Sequence, residues 1–102
     1  MTPGEPEGEV RPELLLFDVL GRRWTMRVLW ELRGGALAFN EIRRRCAQMS
    51  TSVLSRRLAE LREVGLAAHD EFGSWELTGT GQNLCAVLVQ LADLAPGLFP
   101  GE

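Results

Sequence analysis

Residues 39–64, FNEIRRRCAQMSTSVLSRRLAELREV, hold two helical patterns in succession. In the first, Ile42 and Cys46 lie four apart and share an inward face, while Arg43 and Arg44 point out. Asn40 is a good N-cap for this helix, and Glu41 adds negative charge to its first turn. Ala47-Gln48-Met49 is a three-residue turn. In the second pattern Ser50, Thr51 or Ser52 caps a helix that runs to about Val64. There Leu54, Leu58 and Leu61 recur at i, i+4 and i+7, and Gly65 closes it. Two short helices joined by a three-residue turn, the second opening in small hydroxyl residues, form a helix-turn-helix.

The second helix of such a pair can lie in the DNA major groove and read base edges while the first crosses the backbone. On a helical wheel Leu58 and Leu61 fall within about 40° of Leu54. The opposite arc holds Ser52, Ser55, Arg56 and Ala59, with Glu63 further along. Small residues let the backbone approach the groove floor, and Arg56 can reach two acceptors on guanine. Ser52, Ser55 and Arg56 are therefore the candidates for base readout. Arg43, Arg44 and Arg57, with Asn40 and Thr51, are candidates for phosphate contacts, and Arg45 shields the core edge. Arg22 and Arg23 are expected to open an earlier helix and touch the backbone from the side.

On the C-terminal side, Leu66 to Asp70 and Trp75 to Leu77 read as strands joined through Glu71-Phe72-Gly73-Ser74, a hairpin with glycine near its tip. A hairpin directly after the second helix makes the motif a winged helix. Thr78 or Thr80 caps a last helix, roughly Gly81 to Ala95. On the N-terminal side, Pro12 suits the first turn of a helix that Gly21 ends. A second helix covers roughly Trp24 to Arg33 and stops at Gly34-Gly35, and 36–39 is long enough only for a bridging strand. The expected fold is mainly α (α+β): a winged helix-turn-helix with additional N- and C-terminal dimerisation helices. Residues 1–11 read as a disordered acidic tail and 12–95 as the domain. Residues 96–102 read as an aperiodic tail in which Leu98 and Phe99 are apolar enough to be able to tuck against the body.

Charge supports a nucleic-acid partner. All eleven basic residues are arginine, and ten fall between Gly21 and Arg62, where only Glu31, Glu41 and Glu60 oppose them. That window carries +7 on a chain whose net charge is −3, the footprint that a phosphate backbone requires. The longest apolar run, Leu84 to Val89, is far short of a membrane span. The opening residues do not read as a signal peptide, so a cytoplasmic location is expected, with Cys46 and Cys85 as free thiols.

The outer helices call for a partner. Leu84, Leu88 and Leu91 line the last helix, and Val87 widens the apolar arc beyond the need of a one-sided surface helix. The first helix, with Leu14, Leu15 and Phe17, is apolar nearly all round. A domain of this size cannot bury both, so these seven residues are the expected homodimer contacts.

Leu20-Gly21-Arg22-Arg23-Trp24-Thr25, Val28-Leu29-Trp30-Glu31-Leu32, 39–45, 54–61, Gly65-Leu66 and Leu77-Thr78 with Gly81 together resemble the HxlR-type winged-helix transcription regulators, related to the MarR group. The resemblance spans about residues 12–95. It implies a homodimeric bacterial transcription regulator with dimer contacts from the terminal helices. Three positions depart from the family pattern. Arg11 stands where the family often has a cysteine used by some members to sense oxidants. Ala38 replaces a usual basic residue. The wing is short and acidic, with His69, Asp70 and Glu71 in place of basic residues.

Catalytic readings are weak: His69 is the only histidine and no nucleophile motif stands near it. Cys46, Cys85 and His69 lack metal-ligand spacing, so neither metal nor cofactor is expected. Gly79-Thr80-Gly81 reads as a helix cap, and Trp24, Trp30 and Trp75 as core and interface anchors. The expectation is a non-enzymatic, sequence-specific regulator that binds double-stranded DNA as a homodimer on a pseudo-palindromic operator. The alternatives are a winged helix used for protein–protein binding, which the acidic wing would suit, and a regulator gated by a small apolar ligand in the dimer cleft.

Overall fold

The computed structural model describes residues 10–101. Among them the chain runs α1 (Pro12–Leu20), α2 (Thr25–Leu32), β1 (Leu37–Ala38), α3 (Phe39–Arg45), α4 (Thr51–Glu63), β2 (Ala67–His69), β3 (Ser74–Leu77), α5 (Gly79–Ala92) and α6 (Ala95–Leu98). This is a winged helix-turn-helix of mainly helical α+β class. Of the expected acidic tail, residues 1–9 lie outside the described residues. No helix among those described is long and apolar enough to cross a membrane.

The α2 helix is the hub. Its Val28, Leu29 and Leu32 are buried together with Ile42 from α3 and Leu54, Leu58 and Leu61 from α4. The three leucines of the i, i+4, i+7 row thus face inward, which leaves the opposite arc of α4 open to solvent. The antiparallel sheet has the order β1-β3-β2, with Leu37 and His69 flanking Trp75 in register. Trp75 and Leu77 of β3 turn into the core and Glu76 turns out, the alternation of a half-buried strand.

The helix ends follow local chemistry. Ser50 is the cap of α4: its Oγ accepts from the Val53 N–H at 3.2 Å. At the other end Gly65 takes φ +83°, while the Leu66 N–H donates to Leu61 O and the Gly65 N–H to Arg62 O. That is the paired Schellman arrangement, for which glycine is the favoured residue. Thr78 caps α5 by accepting from the Gly81 N–H at 3.0 Å, and its hydroxyl donates to Gly65 O at 2.6 Å. One side chain therefore fastens the foot of the wing to the end of α4. Gly81 lies so close to Leu66 that a Cβ would stand 2.1 Å from the Leu66 carbonyl oxygen.

Several expectations are corrected. Asn40 is not a cap: β1 runs directly into α3, so extended Ala38 takes the cap position and Asn40 lies inside the first turn. The second helix starts at Thr25, because Trp24 adopts φ +77° and breaks the helical path. Arg22 and Arg23 therefore sit in the α1–α2 junction. The last long helix runs from Gly79 to Ala92, and the C-terminal stretch forms the short α6. Leu98 and Phe99 do not tuck in; they are 70% and 78% exposed.

Candidate nucleic-acid interface

The exposed face of α4 presents Thr51, Ser52, Ser55, Arg56 and Ala59. The Ser52 hydroxyl lies 3.3 Å from that of Ser50, so the capping hydroxyl and a base-readout candidate are linked. Arg56 is exposed, and among the described residues no hydrogen bond or ion pair engages its guanidinium. Arg43, exposed on α3, is likewise unengaged.

The other arginines of the basic window are occupied. Arg44 bonds Glu41, and Arg45 donates to Glu41 at 3.2 Å and lies 3.8 Å from Glu31. The bond from Arg44, then that from Arg45, holds the Glu41 carboxyl below the usual carboxylate range. Arg27 bonds Glu31 at 2.7 Å and donates to Arg45 O at 2.8 Å, which ties α2 to the end of α3. Arg33, Arg23 and Arg62 lie over the rings of Trp30, Trp24 and Trp75, at 3.9, 5.5 and 5.9 Å. The positive charge is thus part free and part held by pairs that are mostly at the surface, where such pairs contribute little to stability.

Arg57 is placed differently from the phosphate role expected of it. Its side chain is only 14% exposed; Nε donates to Arg23 O and one terminal nitrogen to Glu60, both at 2.8 Å. The guanidinium is used inside the chain. Sequence reasoning missed this network; the sequence signals only that Arg57 turns away from the open arc. Arg57 follows Leu54 by three residues, which puts it about 60° away, nearer the apolar row than the open arc.

In the short acidic wing, one of the two acids has a structural part. The Asp70 Oδ1 accepts from the Phe72 and Ser74 N–H groups at 2.9 and 2.8 Å, so this carboxylate builds the turn. His69 stacks on Trp75 at 4.5 Å between ring centres. Glu71 and Phe72 remain exposed at the tip.

The outer helices divide the expected dimer contacts. Leu14, Leu15 and Phe17 of α1 are exposed, as are Val87 and Leu91 of α5. Leu88, at 7% exposure, is instead part of the chain's own core, and Leu84 is half-buried against that core. The reason is that α5 packs on α2 through Cys85 and Leu88, with the Cys85 thiol donating to Leu29 O at 3.4 Å. Both cysteines are buried and free, and burial pushes their thiols up in pKa. No group of three or more His, Cys, Asp or Glu among the described residues is placed to hold a metal ion.

Residues 19–100 match the HxlR-like helix-turn-helix family. The chain belongs to this family. The HxlR-like assignment is joined by similarity to the uncharacterized HTH-type transcriptional regulator YvaP of Bacillus subtilis (strain 168), 30% identical over 84 residues, which are 76% of this chain and 78% of YvaP. Among solved structures, the quinone-bound YodB of B. subtilis matches with a TM-score of 0.79 and 26% identity, over 87% of this chain and 99% of YodB. A possible HxlR family transcriptional factor from Thermoplasma volcanium GSS1 matches with a TM-score of 0.79 and 27% identity, over 99% of this chain and 96% of that one. The HxlR-like chain is a helix-turn-helix transcriptional regulator, and its relatives are regulators, not enzymes.

Proposed function

We propose that this regulator binds a specific double-stranded DNA sequence as a homodimer on a pseudo-palindromic operator in the cytoplasm. The observation that carries the reading is Arg56. It stands unengaged on the exposed face of α4 beside Ser52 and Ser55, opposite the buried leucine row. A free guanidinium on a face of small hydroxyl residues suits bidentate recognition of a guanine edge. Arg43, with Asn40, Thr51 and Arg44, supplies the phosphate contacts that fix register.

The homodimer is supported by the apolar residues left in solvent: Leu14, Leu15 and Phe17 on α1, and Val87, Leu91 and Leu94 on α5 and just after it. A groove of about 390 Å³ between α2 and α5, lined by Met26, Trp30 and Leu91 among others, gives a second chain a place to seat. A two-fold axis would set the half-sites about 10 bp apart or at a multiple of that.

Selection of bound sequences from a random duplex pool, followed by affinity measurement across salt, tests the proposal. A recovered palindrome and an affinity that falls steeply as salt rises are the expected results. Recovery of no sequence and salt-independent binding would favour the winged helix as a protein-binding module. A second reading, gating by a small apolar molecule, draws on a cleft of about 270 Å³ lined by Leu15, Leu16, Val19, Val64, Leu66 and Thr80. It requires that operator affinity change when such a molecule is added.

A further inference from the structure

Arg57 lies on α4 but turns away from the exposed face. Its Nε holds the Arg23 carbonyl and one terminal nitrogen holds Glu60, both at 2.8 Å. The other Glu60 oxygen is 3.3 Å from Arg22, and Arg22 donates to Asp18 in the last turn of α1 at 3.0 Å. This series of contacts runs from the DNA-facing helix, across the α1–α2 junction, to α1. Arg57 and Glu60 are largely shielded, at 14% and 24% side-chain exposure, unlike the open arginine pairs of α3.

The junction it grips is an unusual piece of backbone. Trp24 takes φ +77°, in the left-handed region that a bulky residue rarely occupies. The carbonyl bound by Arg57 belongs to the peptide that joins Arg23 to Trp24. The guanidinium therefore holds the peptide that directs how α1 leaves α2. Such two-point capture needs a planar fork with donors in fixed directions, which arginine has and lysine lacks.

We propose that Arg57, with Glu60 and Arg22, is a positioning latch. It fixes α1 relative to the recognition helix, and so selects the half-site spacing without touching DNA. The proposal rests on the reading of a dimer that binds DNA and pairs through α1. In that dimer the angle between α1 and α4 sets the separation of the two recognition helices. A misplaced α1 moves both helices off their half-sites while leaving each reading face intact.

The test uses the full chain, the selected operator, and operators with one base pair added or removed between the half-sites. Arg57→Ala, Arg57→Lys and Glu60→Gln are compared with the parent across a salt series. Arg57→Ala is expected to lose about tenfold on the native spacing, the scale of one good contact, and much less on the altered spacings. Its dependence of affinity on salt keeps the parent slope, because no phosphate contact is removed. Arg57→Lys behaves like Arg57→Ala, and Glu60→Gln shifts spacing preference in the same direction by less. Without DNA, amide hydrogen exchange over residues 21–25 speeds up in Arg57→Lys and not in Arg43→Ala. If Arg57→Ala does not fold, the other two variants carry the same comparison.

A salt slope that drops by about one in Arg57→Ala and is restored by lysine would make Arg57 a phosphate contact and overturn the latch. Equal losses at every spacing would overturn it too, while leaving DNA binding itself intact. A parent protein that binds no DNA removes the underlying reading and the latch together.

Discussion

Arg43 and Arg56 are the two guanidiniums of the basic window left unengaged among the described residues, and they sit on different helices of the pair. Their removal should read differently. Arg56→Ala is expected to cost roughly 1–3 kcal/mol on the preferred operator and to relax base preference at one position. Arg43→Ala should weaken all duplexes alike and lower the salt slope by about one. Binding isotherms on operator and random DNA at several salt concentrations check both. Glu41 belongs to the same scale. Its carboxyl is held below the ordinary range by Arg44 and Arg45, so the folded state binds the proton less tightly than the unfolded chain. The stabilisation is therefore fully present above the ordinary carboxylate pKa and is lost as pH falls through the lowered value. Urea midpoints measured on the acid side should fall less steeply with pH in Glu41→Gln than in the parent. The effect is small, because the group is exposed.

At the scale of elements, the firmest constraint is the crossing of α5 over the foot of the wing. Gly81 allows it, since any Cβ there would collide with the Leu66 carbonyl, and backbone cannot swing aside as a side chain can. Gly81→Ala is expected to destabilise by about 1–3 kcal/mol or more, through forced displacement of α5. Ser50→Ala should cost about 1 kcal/mol by removing the α4 cap. Denaturant unfolding measures both losses, and amide NMR of the folded state distinguishes them, because only the first should also disturb the signals around Leu66. These elements differ in how far sequence discloses them. The exposed face of α4 was legible because it depends only on the spacing of Leu54, Leu58 and Leu61 within one helix. The Arg57 network was not, because its carbonyl partner stands 34 residues away in a junction whose left-handed Trp24 has no local signal. Leu88 was assigned to the partner because its helix is apolar over a wide arc. Which part of that arc meets α2 is decided by packing and not by period.

For the whole molecule, the split along α5 gives a clean pair of variants. Leu91, 55% exposed, can accept a charge without loss of the core, whereas Leu88, 7% exposed, cannot. Leu91→Asp should give a folded monomer that binds the operator poorly. Leu88→Asp should fail to fold, as expected for an unpaired buried charge. Sedimentation with circular dichroism separates these outcomes, and a parent that sediments as a monomer at micromolar concentration would count against the assembly. The two buried thiols have a use beyond packing. Cys46 closes the end of α3 beneath the helix-turn-helix, and Cys85 sits where α5 meets α2. A thiol that can be alkylated only when its surroundings part is a clock for that parting. The chain thus carries two clocks, one beneath the helix-turn-helix and one where α5 meets α2, and under the proposed function they report different events. Bound operator should slow the first, and association of the copies the second, so labelling rates in a single sample would time the two events separately.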